Sequence, residues 1–373
     1  METYRLKSKL VENDREYVIQ TSNDAGLSSV SSMIIINGDL AETVASPHPD
    51  DIESAEVLSL VRMKHDELKR EIEVLLEAYR RILKDGNPQT MLHLAMAFYY
   101  RSFYEEACRL LRSATRIDNE FHQAFNYLCM AEIALENPRE AVEAGQTACR
   151  LRPTFADYHN NLGEAYLEAN ACRQALTEFE EATRINLYYA DAYVNTALAL
   201  ILNAINQDDQ SLFAEVISRS TDCLNKAIVI SPEYDSEQFR NGMIRLTQSD
   251  INGAYRLLRK ARDDKRERHR QEFSTFYMKY VLYPEWASEG AVADRVKFLR
   301  SELEKNPNYV DLYSELGRCY LEQAKMAWRN GVEQYRKALE MNPSLTKAQI
   351  SLEQATRASE QISIALKEIS AKG

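Results

Sequence analysis

Glycine and proline are scarce in this sequence, 11 and 9 of 373 residues, so little interrupts a chain rich in aliphatic and acidic helix formers. Paired cysteines are missing as well. Cys108, Cys129, Cys149, Cys172, Cys223 and Cys319 are scattered without a Cys-x-x-Cys spacing. Most fall where a helix takes a small apolar residue, so they read as reduced packing residues of a cytoplasmic protein. No apolar signal segment opens METYRLKSKL, and the run from Met33 to Ile36 is far too short to cross a bilayer. Neither secretion nor a membrane span is expected. Positive charge is in deficit, 46 Lys and Arg against 57 Asp and Glu for a formal net of −11. That balance argues against a general nucleic-acid binder and for neutral or basic partners.

Chemistry-bearing constellations are absent too. The six histidines, His48, His65, His93, His122, His159 and His269, show no metal-ligand spacing with one another or with cysteine. No Gly-rich phosphate loop follows a strand, and no nucleophile elbow or Walker pattern occurs. No cofactor, metal or catalytic residue is therefore expected, and the chain reads as a non-enzyme.

What is present is a repeat. Ala156 to Tyr189, ADYHNNLGEAYLEANACRQALTEFEEATRINLYY, is one helix-turn-helix unit of 34 residues. Stepping by that period, the small-residue position gives Ala95, Cys129, Gly163 and Ala197; the second helix gives Ala107, Ala141 and Ala175, then Ala114, Ala148 and Ala182. Small Gly163 and Ala175 let the two helices approach, and Tyr166 and Phe179 fill the space around that contact. His159 stands where the neighbouring units carry Met91, Phe125 and Tyr193, and reads as a packing residue. With Leu162, Gly163, Tyr166, Ala175, Phe179 and Ala182 at the signature spacing, the unit resembles a tetratricopeptide repeat. Such a unit cannot bury its apolar face alone and must stack on neighbours, so the expected fold is mainly α, a right-handed α-solenoid.

Repeats run from Pro88, His122 and Ala156, and a fourth begins at Ala190 with an insertion around NAINQDDQSLF that delays Ala227 and Pro232 by 11 residues. The expected division is repeats over 88–234, degenerate repeats over 235–309, a repeat over 310–345 and a capping helix over 346–373. Gly242, Ala254 and Ala261 keep the spacing in the degenerate part, where Pro284 and WASEG mark a break. In the last repeat, VDLYSELGRCYLEQA and VEQYRKALEMNP read as two helices with two extra residues in their turn.

The first 50 residues differ. YRLKSKL and REYVIQT alternate around the polar turn VEND, and SSMII and DLAETVA flank Asn37-Gly38, a two-residue hairpin signal. Two hairpins make a small antiparallel β module that needs a cover. The cover is a helix over 51–86, capped by Asp50 or Asp51 and stopped by Gly86. Its seam, Val61, His65, Leu68, Ile72, Leu75, Tyr79 and Ile82, is heptad-like. The seam reads as a cap on the first repeat, with a coiled-coil homo-oligomer through residues 61–82 as the alternative. The sheet edge offers a second route to self-assembly.

The resemblance implies a concave groove lined by the first helix of each unit, binding a peptide or amphipathic helix of a protein partner. The matching positions are Leu92, His93, Met96 and Tyr99, then Asn126, Tyr127, Met130 and Ile133. The third unit offers Asn160, Asn161, Glu164 and Leu167, and the fourth Val194, Asn195 and Leu198. The resemblance gives Asn161 and Asn195 most weight, because a side-chain amide offers both donor and acceptor to an extended backbone. Lining that grades from Met-bearing and aromatic to acidic, with Asp157, Glu168 and Asp191 nearby, implies a partner with an apolar anchor followed by polar or basic residues. The basic clamp of chaperone-binding members is missing. One stretch opposes the general acidity: Arg256 to Arg270 carries a local net of +5. Without interleaved aromatics it reads as a solvated helix more than as a nucleic-acid surface. The expected function is a non-enzymatic scaffold or adaptor, with self-assembly and nucleic-acid binding as rivals.

Overall fold

The computed structural model describes residues 3–12, 14–24, 28–49, 52–206, 215–277, 289–305 and 310–358. The chain divides into two units, Met1–Leu282 and Tyr283–Gly373. No helix among the described residues is long and apolar enough to cross a membrane.

Unit one opens with β1 (Arg5–Glu12), β2 (Arg15–Asp24), β3 (Ser29–Ile36) and β4 (Asp39–Pro47), an antiparallel sheet in the order β1-β2-β3-β4. Asn37 and Gly38 both take positive φ, 53° and 100°, as a two-residue hairpin requires. One face of the sheet is buried, carrying Ile19, Val30 and Ile34 at 0 % exposure. Helix α1 (Ser54–Asp85) covers it and stops at left-handed Gly86. It starts after Glu53, and the expected caps Asp50 and Asp51 lie outside the described residues. Val57 and Val61 pack on Val30. His65 reaches Ser8 Oγ at 2.8 Å and Thr21 Oγ1 at 3.2 Å, so a buried polar pin fixes α1 to β1 and β2. Burial lowers the His65 pKa and keeps the ring neutral.

Farther along α1, Tyr79 meets Phe98 of the first repeat edge to face at 5.5 Å. The seam from Val61 to Tyr79 is thus buried inside the chain, which removes it as a dimer face in this fold. The sheet docks on the first repeat as well: Tyr17 donates to Glu106 at 2.6 Å, and Arg101 pairs with Glu42 of β4 and Glu71 of α1. Arg101 is 7 % exposed, so its two carboxylates are what make that burial tolerable.

The repeats follow as helical hairpins: α2 (Pro88–Tyr100) with α3 (Tyr104–Ile117), α4 (His122–Ala134) with α5 (Pro138–Leu151), and α6 (Ala156–Glu168) with α7 (Cys172–Ile185). Their turns place Ser102, Glu136 and Asn170 at φ 60°, 58° and 57°. A shared left-handed turn residue every 34 positions is what folds each pair back. A Cβ on Gly163 would lie 2.5 Å from the Phe179 ring, so the hairpin contact needs glycine there. In the fourth unit α8 (Ala190–Asn206) has 17 residues and α9 (Val216–Ile230) has 15, where the preceding units have 13 and 14. The insertion therefore lengthens α8 most; its residues 207–214 lie outside the described residues. After a 3-10 turn at Pro232–Tyr234, α10 (Glu237–Thr247) and α11 (Ile251–Tyr277) form a fifth hairpin, with Gly242 closing on Leu258.

Unit two holds α12 (Glu289–Lys305) and α13 (Val310–Met341), then helix over 346–358. Pro284 and most of WASEG lie outside the described residues. The expected helix-turn-helix of the last repeat is one unbroken 32-residue helix. A Cβ on Gly317 would meet nothing within 4 Å. Among the described residues no second helix closes on that glycine as Phe179 closes on Gly163. Without that burial, and with no proline between Leu316 and Asn342, helix propagation continues through Gly331.

Candidate functional site

The first helices α2, α4, α6 and α8 stack side by side and form one wall. The sequence places a partner on this wall; the structure places α11 there. Helix α11 is 27 residues long where the second helices of repeats two and three have 14. Its extra turns pack on α8 and α2. Arg259, Arg262, Arg266 and Arg270 recur at three- and four-residue steps, which puts them on one helix face.

Each finds a partner. Arg259 bonds Glu168 at 2.8 and 3.0 Å. Arg262 donates to Asn195 Oδ1 at 3.1 Å, and Arg266 to Glu164 Oε1 at 2.5 Å. Lys265 bonds Asp191 at 3.0 Å and sits over the Tyr234 ring at 4.6 Å. Arg270 donates to the Tyr100 carbonyl at the end of α2. The amide pair closes the network: Asn195 Nδ2 donates to Asn160 Oδ1 and Glu164 Oε1, and Asn160 Nδ2 donates to Glu164 Oε1, all at 2.9 Å.

Burial alone would raise the Glu164 pKa, but Arg266 and Arg262 outweigh it and hold the carboxyl below its ordinary value. Burial also opposes charge on Asp191, and Lys265, Tyr234 and Arg266 still draw it to about 2. These carboxylates are ionised because cations of α11 face them. The stretch read as a solvated basic helix is instead the charge complement of the acidic wall; Arg262, Lys265 and Arg270 are 4, 5 and 8 % exposed.

The sequence-predicted lining divides into three. Asn160, Glu164 and Asn195 form the α11 network and are buried. Leu92, Leu167, Val194 and Leu198 are also buried, the last three within the core shared by repeats three to five, so they pack the solenoid. Over the first two repeats His93 is exposed and Met96, Tyr99, Tyr127, Met130 and Ile133 are half-buried. There Tyr99 packs edge to face on Tyr100, Tyr104 and Tyr127 with centroids 5.3, 5.5 and 6.1 Å apart. Asn161 donates to buried Asn126 at 2.9 Å, which in turn reaches Met130 Sδ at 3.9 Å.

A second cluster went unseen in the sequence. Cys149 on α5, His159 on α6 and Glu178 on α7 bring a sulfur, a ring nitrogen and a carboxylate oxygen within 4.8 Å of one another. His159 Nδ1 lies 2.7 Å from Glu178 Oε2, and its Nε2 lies 3.0 Å from the Pro153 carbonyl. The thiol of Cys149 and the carboxylate of Glu178 push the His159 pKa up to about 10 against the opposing effect of burial. His159 is therefore a hydrogen-bonded polar residue of the junction between repeats, not the apolar packing position its column implies.

No family model and no curated protein matches the sequence. Among solved structures, the chain is similar to YrrB, described as a TPR protein with an unusual peptide-binding site (14 % identity, 53 % of this chain and 97 % of that one, TM-score 0.36). It is similar to MamA (18 %, 46 % and 95 %, 0.34) and to PilF of Pseudomonas aeruginosa (18 %, 65 % and 97 %, 0.37). Hairpins of 34-residue period with recurring left-handed turns make unit one a tetratricopeptide-like α-solenoid carrying an N-terminal β module.

Proposed function

We propose that this chain is a non-enzymatic scaffold or adaptor that binds a peptide or amphipathic helix of a protein partner on the concave wall of its repeats. One observation carries the reading. The wall already holds a helix of that chemistry, α11, whose apolar residues Ala254 and Leu258 sit in the core while Arg259, Arg262, Lys265 and Arg266 meet Glu168, Asn195, Asp191 and Glu164. With repeats three and four so engaged, and the far end of α11 reaching the end of α2 at Tyr100, the partner segment belongs on the Tyr- and Met-bearing part of the α2 and α4 wall that α11 leaves open. Stacked repeats present that surface preformed, so ordering cost falls on the partner.

The test is selection from a displayed random peptide library against the wild type, Tyr127→Ala and Met130→Glu, each checked for unchanged helicity and melting. Peptides with an apolar anchor and basic residues should be enriched by the wild type, with enrichment falling at least about tenfold for Met130→Glu, since a buried apolar anchor contributes more than 1.4 kcal/mol. No enrichment, or equal enrichment by the variants, refutes the groove reading.

A further inference from the structure

We infer that Cys149, His159 and Glu178 form a binding site for a divalent transition-metal ion of zinc type, seated where α5, α6 and α7 meet.

Nε2 of His159 faces a backbone carbonyl at 3.0 Å. A carbonyl only accepts, so Nε2 carries hydrogen, and in the neutral ring the lone pair sits on Nδ1. Nδ1 is the nitrogen aimed at Glu178. A ring nitrogen anchored on a carbonyl, with its other nitrogen turned toward a carboxylate and a thiol sulfur in the same cluster, has the arrangement of a metal-ligating histidine and its outer-shell partner. Thiolate, imidazole and carboxylate together are a borderline-soft donor set that suits zinc, and three protein ligands leave a fourth tetrahedral position for water.

The distances allow it. Ligand atoms 2.0–2.3 Å from a tetrahedral ion are roughly 3.3–3.8 Å apart. The N–O pair at 2.7 Å must open by about 0.6 Å, and atoms up to 4.8 Å apart must close by at most about 1.5 Å, which side-chain rotation supplies. The surroundings fit as well. Cys149 and His159 are 8 and 9 % exposed, and Phe125, Val142, Phe155 and Tyr158 pack around Cys149 and its neighbours. A dry shell strengthens coordination. The three ligands come from two adjacent repeats, so the ion would clamp α5 to the α6–α7 hairpin.

On binding, the Cys149 thiol loses its proton to solvent and the proton shared between His159 and Glu178 leaves with it, so the cation takes the place of protons without any redox change.

The full chain, reduced and stripped with chelator, is titrated with Co(II) and then Zn(II). We expect a thiolate-to-Co(II) charge-transfer band that saturates at one ion per chain and bleaches with Zn(II). Cys149→Ser should abolish the band, Glu178→Gln should weaken Zn(II) binding by at least about tenfold, and Cys223→Ser should change neither. Should Cys149→Ser fail to fold, the wild type still decides: Zn(II) must slow alkylation of Cys149, located by peptide mass, and leave Cys223 unaffected. A wild type without the band, a band that persists in Cys149→Ser, or Cys149 alkylated equally with and without Zn(II) overturns the assignment.

Discussion

Replacing Glu164 by alanine should release α11 from the wall while leaving the repeats stacked. The Glu164 side chain is 6 % exposed, and its Oε1 accepts from Arg266, Asn160 and Asn195. Removing it deletes three charge-assisted bonds, each contributing about 1.5–3 kcal/mol in isolation. The sum is not realised, because Asn195 and Asn160 keep each other and the Arg266 side chain, 43 % exposed, can turn to water. A net loss of about 2–4 kcal/mol is the reasonable range. In amide hydrogen exchange that corresponds to roughly 30-fold to several-hundred-fold faster exchange in the part of α11 beyond Arg259, with α4 to α7 little changed. Glu67→Ala, which removes only the exposed pair with Lys64, should leave α11 at the wild-type rate. The reasoning fails if α11 exchanges equally in both variants. It also fails if the repeats lose protection along with α11, for then Glu164 supports the solenoid itself.

Leu68→Asp and Ile72→Asp place carboxylates where exposure is 6 and 0 %; they should cost more than about 4 kcal/mol together and unfold the sheet module. A pair that melts like the wild type and only changes mass in light scattering would put the seam at a subunit interface instead. Gly163→Ala should destabilise by about 1–3 kcal/mol against the Phe179 ring, whereas Gly317→Ala, with open space around it, should stabilise by about 0.5–1 kcal/mol; equal signs in urea titrations would refute the hairpin argument. Asp191 is drawn below its ordinary 3.8 to about 2, so its contribution is complete above about pH 4 and lost as pH falls toward 2. The stability gap between wild type and Asp191→Asn should therefore shrink over that window; a gap constant from pH 7 to 2 would show that the ion pair with Lys265 contributes nothing.

What was legible in the sequence is what is local or periodic. Asn37-Gly38 names its own hairpin, and the columns through Gly163, Ala175 and Ala182 name the hairpin contact, because each is read within one or two turns of chain. The turns themselves are legible only through the period. Ser102, Glu136 and Asn170 share a left-handed conformation but no residue type, so packing on either side imposes it. The last repeat misled for the complementary reason. Leu316, Gly317 and Tyr320 carry the signature, yet a signature describes a contact, and none of the described residues closes on Gly317 to fold α13 back. Cys149, His159 and Glu178 lie 10 and 19 residues apart on three helices, a spacing that says nothing until the helices stack.

The role of α11 was hidden in a different way. Both halves of the interaction were visible, acids on the third and fourth first helices and a run of cations at Arg256 to Arg270, but a charged helix face looks the same whether it meets water or a complement. The match has a consequence for folding. In a solenoid each repeat touches only its neighbours, and stability is close to a sum of nearest-neighbour terms. Helix α11 breaks that rule, since one helix of the fifth hairpin bonds Glu164 and Glu168 of the third repeat, Asp191 and Asn195 of the fourth, and the Tyr100 carbonyl of the first. Its docking surface exists only after those repeats have stacked. The helix therefore couples repeats that are not neighbours in the array, and unit one should unfold more cooperatively than a linear array of the same length, losing that cooperativity when α11 is released.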